Sequence, residues 1–296
     1  MATSIPQPVL QKLQLIEPDS SFSGSLPRVQ SSSGAAYYVK TGSLSDEAQF
    51  RGEAESLKAM GESAPSLVPR LLDFDILESG LPYFISEHKD IGPLSYRAAD
   101  ILAKRMATEL HAKSNPSGKG FGFAIPTYCG LTKIQNGWFK RWDECFASMI
   151  GDLLGQLEQK GQYQSICSKG IIVKNEVIPK LLANLDIKPV ILHGDLWSGN
   201  AGVDKATGQP VIFDPASYYG HHEADLSIAR IFGGFPDTFF STYHEHMPKT
   251  EPVEEYDLRM NLYELFHYMN HTLIFGGHYA GSAEKKMNKL IAILNI

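Results

Sequence analysis

Two neighbouring stretches constrain this chain more than any other part of it: Val190-Ile191-Leu192-His193-Gly194-Asp195-Leu196-Trp197-Ser198-Gly199-Asn200, and then Val211-Ile212-Phe213-Asp214-Pro215. Each opens with a short apolar run of strand type and ends in a carboxylate. The residues between the runs are polar and rich in glycine, so the pattern predicts strand, loop, strand. Asp195 and Asp214 would then emerge at the C-terminal ends of two strands. A turn that happens to be rich in Gly and Asp is the bland alternative, and the strand context on both sides speaks against it.

The spacing has a chemical counterpart. His193-x-Asp195 followed by Asn200, five positions after the acid, is similar to the catalytic loop of protein kinases, which a metal-binding Asp follows on a later strand. Here Asp214 is followed by Pro-Ala rather than Phe-Gly. Phosphoryl transfer is mostly positioning plus neutralisation of charge on the triphosphate. Asp195 would accept the proton of the attacking hydroxyl, and Asp214 would hold Mg²⁺ between the phosphates of ATP. The amide oxygen of Asn200, a hard neutral ligand, would complete the metal shell. His193 is expected to fix the loop rather than move a proton.

Upstream, a Ser/Gly tract at 19–34 leads into Ala35-Ala36-Tyr37-Tyr38-Val39-Lys40, which reads as a flexible hairpin turn followed by a strand. It contains no phosphate loop of the GxxxxGK[ST] type. From Ser45 the pattern turns helical, with Phe50, Ala54, Leu57 and Met60 on one apolar face and Glu53 inside it. A buried glutamate requires a partner, and the residue one turn on is Leu57. Lys40 is the natural candidate, a cation that could also hold phosphate oxygens; alternatively Glu53 lies at the stripe edge and reaches water. Two further strands, at 68–74 and 81–87, precede the polar segment from His88 to Pro93. Helical patterns then dominate near 95–111, 138–158, 220–231 and 255–274. A β-rich head, a connector and a helical body describe an α+β, protein-kinase-like two-lobed fold. The expected division is a nucleotide-binding lobe at 1–87 and a catalytic and substrate-binding lobe at 88–296.

The bulk properties fit that reading. A net charge of −6 and a pI near 5.9 argue against nucleic acid or an anionic membrane as the main partner. No apolar run approaches the ~20 residues that span a bilayer, and Met1 to Leu15 lack the form of a secretory signal. Cys129, Cys145 and Cys167 are odd in number and have no CxxC spacing, which fits a reducing, cytoplasmic setting.

The longer strings narrow the resemblance. His193-Gly-Asp195 with Asn200 resembles the aminoglycoside/choline kinase superfamily. His193-Gly-Asp-Leu-Trp-Ser-Gly-Asn200, Ile212-Phe-Asp-Pro-Ala-Ser-Tyr-Tyr-Gly-His221 and Phe232-Gly-Gly-Phe-Pro236 look like the fructosamine 3-kinase (ketosamine 3-kinase) family. So do Phe50-Arg-Gly-Glu53, Ser86-Glu-His88, Leu110-His111, Phe121-Gly-Phe123 and Asn270-His271. The resemblance implies ATP-dependent phosphorylation of the 3-hydroxyl of ketosamines, either small molecules or glycated proteins, followed by release of the amine. It implies Asp195 as proton acceptor, Asn200 and Asp214 as metal ligands, and Lys40 with Glu53 as the phosphate-orienting pair. Glu87-His88-Lys89 would form the hinge that meets adenine, and Trp197 a wall of the sugar site. A monomer or weak dimer is expected. Many members carry a cysteine in the nucleotide-covering loop that serves a redox switch; Ser20 to Ser25 stand there in this chain, so that control is not expected.

Other residues carry weaker signals. Tyr218, Tyr219, His221 and His222 follow the second acid and could line the acceptor pocket, Tyr219 and His221 foremost, although any one singly is more often structural. Asp225 is expected to anchor the catalytic loop from the next helix. His111 reads as a satisfied buried histidine, and Trp138, Trp142, Phe146, Ile150 and Leu153 as a helical core stripe. A hydrolase metal centre built from His193, Asp195, Asp214, His221, His222 and Asp225 lacks any HExxH-type spacing. The rival functions are a kinase for another small hydroxyl compound, such as an aminoglycoside or choline analogue, and an inactive pseudokinase serving as a binding module.

Overall fold

The computed structural model describes residues 4–296. Helix α1 (Gln7–Ile16) precedes strands β1 (Phe22–Ser25), β2 (Arg28–Ser31) and β3 (Ala36–Thr41). Helix α2 (Glu47–Ser63) then leads to β4 (Leu71–Ile76) and β5 (Pro82–Glu87). These five strands form one antiparallel sheet in the order β1-β2-β3-β5-β4. Alternation along β5 decides what each face buries. Tyr83 and Ile85 join Val9 and Leu13 of α1 in a small core, while Phe84 joins Ala54, Leu57 and Met60 of α2 in the main core. The sheet is thus clamped between two helices, and the apolar stripe read from Phe50 onward is the inward face of α2.

The rest of the chain is mainly helical. Strand β6 (Ile91–Pro93) is followed by α3 (Tyr96–Arg105), capped by the Ser95 hydroxyl, which accepts from Ala98 N, and prolonged by a π-type turn to Leu110. Four three-residue strands follow: β7 (Phe121–Phe123), β8 (Thr127–Cys129), β9 (Thr132–Ile134) and β10 (Gly137–Phe139). Helices α4 (Trp142–Gln159), α5 (Gln164–Ile172) and α6 (Ile178–Leu182) come next. The strands β11 (Val190–Leu192), β12 (Ala201–Asp204), β13 (Pro210–Ile212) and β14 (Tyr218–Gly220) carry the sequence motif. Helices α7 (His222–Ile231), α8 (Asp237–His246), α9 (Tyr256–Phe275) and α10 (His278–Ile293) complete the chain. β11 ends a sheet ordered β10-β7-β14-β11, and β12 pairs with both β13 and β6. None of the described helices is long and apolar enough to cross a membrane.

One expectation is corrected here. The helix anticipated from 138 starts at Trp142, and Trp138 lies in β10 instead. Asn136 (φ 59°) and Gly137 (φ 129°) hold the backbone in a region no right-handed helix can use. The remainder of the stripe, from Trp142 to Leu153, is buried as expected.

A polar network is embedded where α7 and α9 meet. Arg259 and Glu223 are both fully buried and pair through two contacts, Nε to Oε2 at 2.7 Å and Nη2 to Oε1 at 3.0 Å. Arg259 also donates to the carbonyls of Thr250 and Pro252, so most of its fork is satisfied. Against it sit His221, between Tyr263 Oη at 2.8 Å and Thr250 Oγ1 at 2.7 Å, and His222, bonded to Tyr243 and Thr250. Burial depresses the pKa of His221 well below its ordinary value and that of His222 to about 3, with neighbouring cations adding to the effect. Burial likewise depresses His193, and His267 to about 3.

These four rings remain neutral in the folded state where an unfolded histidine, with a pKa of about 6.5, would take up a proton. Their contribution to stability is therefore intact above pH ~6.5 and is lost progressively as the pH falls, by up to about 1.4 kcal/mol per pH unit for each ring. Thermal unfolding should be nearly flat from pH 8 to 7 and drop steeply toward pH 5.5. A midpoint unchanged across that lower interval would contradict the assignment of neutral buried rings.

Candidate active site

The loop after β11 is fixed by its own backbone. Gly194 has φ 80°, and a Cβ there would stand 2.2 Å from the Ala216 carbonyl oxygen, so only glycine fits the turn. Asp225, in the first turn of α7, accepts the His193 and Gly194 N–H groups on its two oxygens, each at 2.8 Å. His111 contacts the same carboxylate at 3.3 Å, and its other ring nitrogen meets Tyr243 Oη at 2.7 Å. Burial alone would raise the Asp225 pKa, but His111 and the amides outweigh it and hold the acid below its usual range. His193 accepts the Asp195 N–H on Nδ1 at 3.2 Å, and its Nε2 lies 2.9 Å from the Phe213 carbonyl. The ring therefore links the loop carrying Asp195 to the strand end carrying Asp214, and no ring nitrogen is left to transfer a proton.

Asn200 donates Nδ2 to the Asp195 carbonyl at 2.9 Å and to Asp195 Oδ2 at 3.3 Å. Its amide oxygen takes no hydrogen bond among the described residues. Asp214 adopts φ 54°, a left-handed conformation that aspartate tolerates better than most residues. Burial raises the Asp195 pKa to about 6, against the pull of hydrogen bonds from Cys129 and Asn200.

On the opposite wall, Lys40 at the end of β3 pairs with Glu53 of α2, with its ammonium over the rings of Phe50 and Phe84. Glu53 thus takes its partner from the neighbouring strand rather than from water. Burial raises its pKa, and the lysine opposes the rise. Helix α2 is seated closely: a Cβ on Gly52 would meet the Pro126 carbonyl oxygen at 2.8 Å, and Ser56 Oγ accepts the Ser217 N–H at 3.1 Å.

Lys40, Glu53, Asp195, Trp197, Asn200 and Asp214 all line one cavity of about 380 Å³. A second cavity of about 310 Å³ shares Tyr38, Glu53 and Asp214 with it and is lined at its far end by Glu87, His88 and Lys89. Within that connector, His88 N–H is used by the Ala36 carbonyl, and Lys89 Nζ bridges Glu87 at 2.6 Å and Asp204 at 3.3 Å. Trp197 is 41% exposed, with its ring over Gly199.

Two residues fall elsewhere. Tyr219 is a strand residue of β14 paired with Ile191 and Gly122, and it faces a separate cavity of about 340 Å³ behind α2 with Trp138 and Phe123. His221 is fully buried, with both ring nitrogens engaged by Tyr263 and Thr250, so it has nothing to offer a ligand in the cleft. Sequence reasoning also missed Tyr38, Gln49, Tyr128 and Gly130, which line the cleft. Tyr128 lies in, and Gly130 just after, a three-residue strand too short to produce a periodic signal.

Two adjoining cavities, with a lysine–glutamate pair on one wall and two acids and an amide on the other, define a small-molecule kinase of the protein-kinase-like class. The fold agrees. A crystal structure of the aminoglycoside phosphotransferase APH(4)-Ia, in ternary complex with AMP-PNP and hygromycin B, superposes with a TM-score of 0.61 at 15% identity, over 97% of this chain and 98% of the other. The family model for fructosamine kinase matches residues 21–293, and the chain belongs to that family. Ketosamine-3-kinase of Mus musculus is 36% identical over 275 residues, 86% of this chain and 87% of the relative. The chloroplastic protein-ribulosamine 3-kinase of Arabidopsis thaliana is 36% identical over 260 residues, 88% and 77% respectively.

Asp225→Asn tests the support of the loop, because it replaces an acceptor oxygen with a donor beside two buried N–H groups. The expected loss is about 1–3 kcal/mol in urea unfolding. The exposed Asp186→Asn should change little. Equal midpoints for the two variants would remove Asp225 from this role.

Proposed function

We propose that the protein transfers the γ-phosphoryl group of ATP to the 3-hydroxyl of a ketosamine, with Asp195 as the base. The observation that carries this reading is the meeting of Asp195, Asn200 and Asp214 with the Lys40–Glu53 pair on one cavity. The ketosamine acceptor is supported by family membership and by the names of the relatives above. Residues 1–87 form the nucleotide-binding lobe in this reading, and 88–296 the catalytic and substrate-binding lobe.

In the transfer, the acceptor 3-hydroxyl oxygen forms a bond to the γ-phosphorus while the bond to the β,γ-bridging oxygen breaks, releasing ADP. The hydroxyl proton passes to the Asp195 carboxylate. An acid raised to about 6 is mostly ionised at neutral pH yet basic enough to accept that proton as charge leaves the oxygen. Lys40, held by Glu53, faces phosphate oxygens, and the connector at Glu87-His88-Lys89 meets the adenine edge. The donor set of the Asp214 carboxylate and the free Asn200 amide oxygen suits Mg²⁺, which would neutralise phosphate charge when bound there. Trp197, half-exposed beside the base, offers an aromatic face to the sugar. A pure binding module would have no need to keep the half-buried Lys40–Glu53 pair opposite two cleft acids. The acceptor is a free ketosamine or a glycated protein side chain.

Asp195→Asn keeps the shape of the site and removes the base, so turnover should fall by about 10²–10⁴-fold while ATP binding persists in calorimetry. Near-normal turnover on ribulose- or fructose-lysine would refute the assignment. ADP release measured across ketosamines, aminoglycosides and choline should be greatest with a ketosamine. A preference for either of the other two classes would replace the acceptor proposed here.

A further inference from the structure

A second set of ligand atoms meets at Asp195, and phosphoryl transfer makes no use of it. Cys129 ends β8, Asp195 lies in the loop after β11, and His267 projects from α9. The Cys129 Sγ, a carboxylate oxygen of Asp195 and a ring nitrogen of His267 all lie within 4.8 Å of one another. Cys129 is 1% exposed and His267 4%. His267 Nδ1 is buried without a hydrogen-bond partner among the described residues. One turn further along α9, Asn270 donates Nδ2 to both the carbonyl and the sulfur of Cys129 at 3.2 Å. Its own Oδ1 is left buried and unpartnered.

Unmet buried polar atoms are costly, about 1–3 kcal/mol each, and two beside one thiol call for an explanation. With Nδ1 unpartnered, the His267 ring has a nitrogen free to serve as a metal ligand. The donors are one sulfur, one nitrogen and one oxygen. That set suits a borderline-soft ion such as Zn²⁺ and is foreign to Mg²⁺, which takes oxygen. Three donors around a tetrahedral zinc stand roughly 3.3–3.8 Å apart, and the three atoms here already lie within 4.8 Å of one another. Tyr128 and Gly130, on either side of Cys129, line the cleft with Asp195, which places the cluster beside the cleft.

We propose that Cys129, Asp195 and His267 form an inhibitory site for a zinc-type divalent cation, entered from the active-site cleft. Binding forms metal–sulfur, metal–nitrogen and metal–oxygen bonds and releases the thiol proton to solvent, with no change in oxidation state. An occupied site engages the Asp195 carboxylate, which can then no longer accept the proton of an acceptor hydroxyl. The inhibitory consequence rests on Asp195 being the base; the binding itself does not.

The two are tested separately. Nucleotide-free protein is titrated with Co²⁺ and then with Zn²⁺. One equivalent of cobalt should produce a thiolate-to-cobalt charge-transfer band that zinc abolishes. Cys129→Ser should lose the band. His267→Phe, which preserves the ring volume, should weaken binding by about 10–100-fold and serves if the cysteine variant does not fold. A band that survives in both variants would assign the metal to Cys145 or Cys167. No band at all would indicate that only water satisfies the cluster. Either result overturns the site. Zinc at saturating Mg·ATP should also suppress ADP release by the wild type, reversibly with a chelator, at a concentration at least about tenfold lower than for His267→Phe. Metal binding without loss of turnover would overturn the inhibitory role. Failure of Asp195 as the base would instead appear as persistent turnover of Asp195→Asn.

Discussion

The active cleft depends on one buried carboxylate that never touches substrate. Asp225 takes the His193 and Gly194 N–H groups on its two oxygens, which sets the backbone of the catalytic loop against the first turn of α7. An acid in that position, fully out of water, would be strongly disfavoured if those donors and His111 did not hold its charge. The same loop then grips the second strand. His193 reaches the Phe213 carbonyl through its ring, and its own carbonyl accepts the Ala216 N–H at 2.8 Å. Asp195 and Asp214 are thus held relative to one another by a histidine that accepts the Asp195 N–H and reaches the carbonyl of Phe213, the residue before Asp214. Their separation is a property of the scaffold, because the ring grips backbone groups at both positions.

The nucleotide side is positioned by the same body. Glu53 orients Lys40, but what orients Glu53 is the seat of α2. Gly52 lets that helix lie against Pro126 and Thr127, and Ser56 ties it to Ser217 just past the second acid. Lys89 adds a further tie, from the end of β5 to Asp204 on β12. The five-stranded sheet therefore has close contacts to the catalytic half along α2 and at the connector. A shift of α2 would move the lysine–glutamate pair and the Asp214 loop together.

Much of this was legible in the sequence because it is local. The strand–loop–strand motif, the stripe on α2 with a glutamate inside it, and the helices at 220–231 and 255–274 are all written in adjacent residues. What could not be read depends on partners far along the chain. His221 lies seven residues beyond Asp214, yet it is claimed by Tyr263 and Thr250 in a network organised by the buried Arg259–Glu223 pair. Tyr219 follows the same acid, but strand pairing with Ile191 and Gly122 turns it to the back of α2. Trp138 fits a helical spacing by coincidence, and two left-handed residues before it fix the chain as a strand. The short strands between Phe121 and Phe139 carry three residues each, too few for any period, and Cys129 reaches Asp195 only through them.

That last contact bears on how the base is tuned. Burial raises Asp195, and the hydrogen bonds from Cys129 and Asn200 pull it back, leaving the acid near 6. A thiol is a weak donor, so it moderates the effect of burial without cancelling it. A stronger donor in its place would push the carboxylate back toward its ordinary range and reduce its basicity. An apolar residue would let desolvation dominate and leave more of the acid protonated at neutral pH. Cysteine sits between these limits, and Asn270 fixes its orientation from α9 through both the carbonyl and the sulfur. The arrangement has a chemical consequence, because a sulfur donor next to a carboxylate and a neutral imidazole is also what a thiophilic cation requires. In this geometry, tuning of the base and exposure to such a cation have one source, the approach of β8 to α9 behind the catalytic loop.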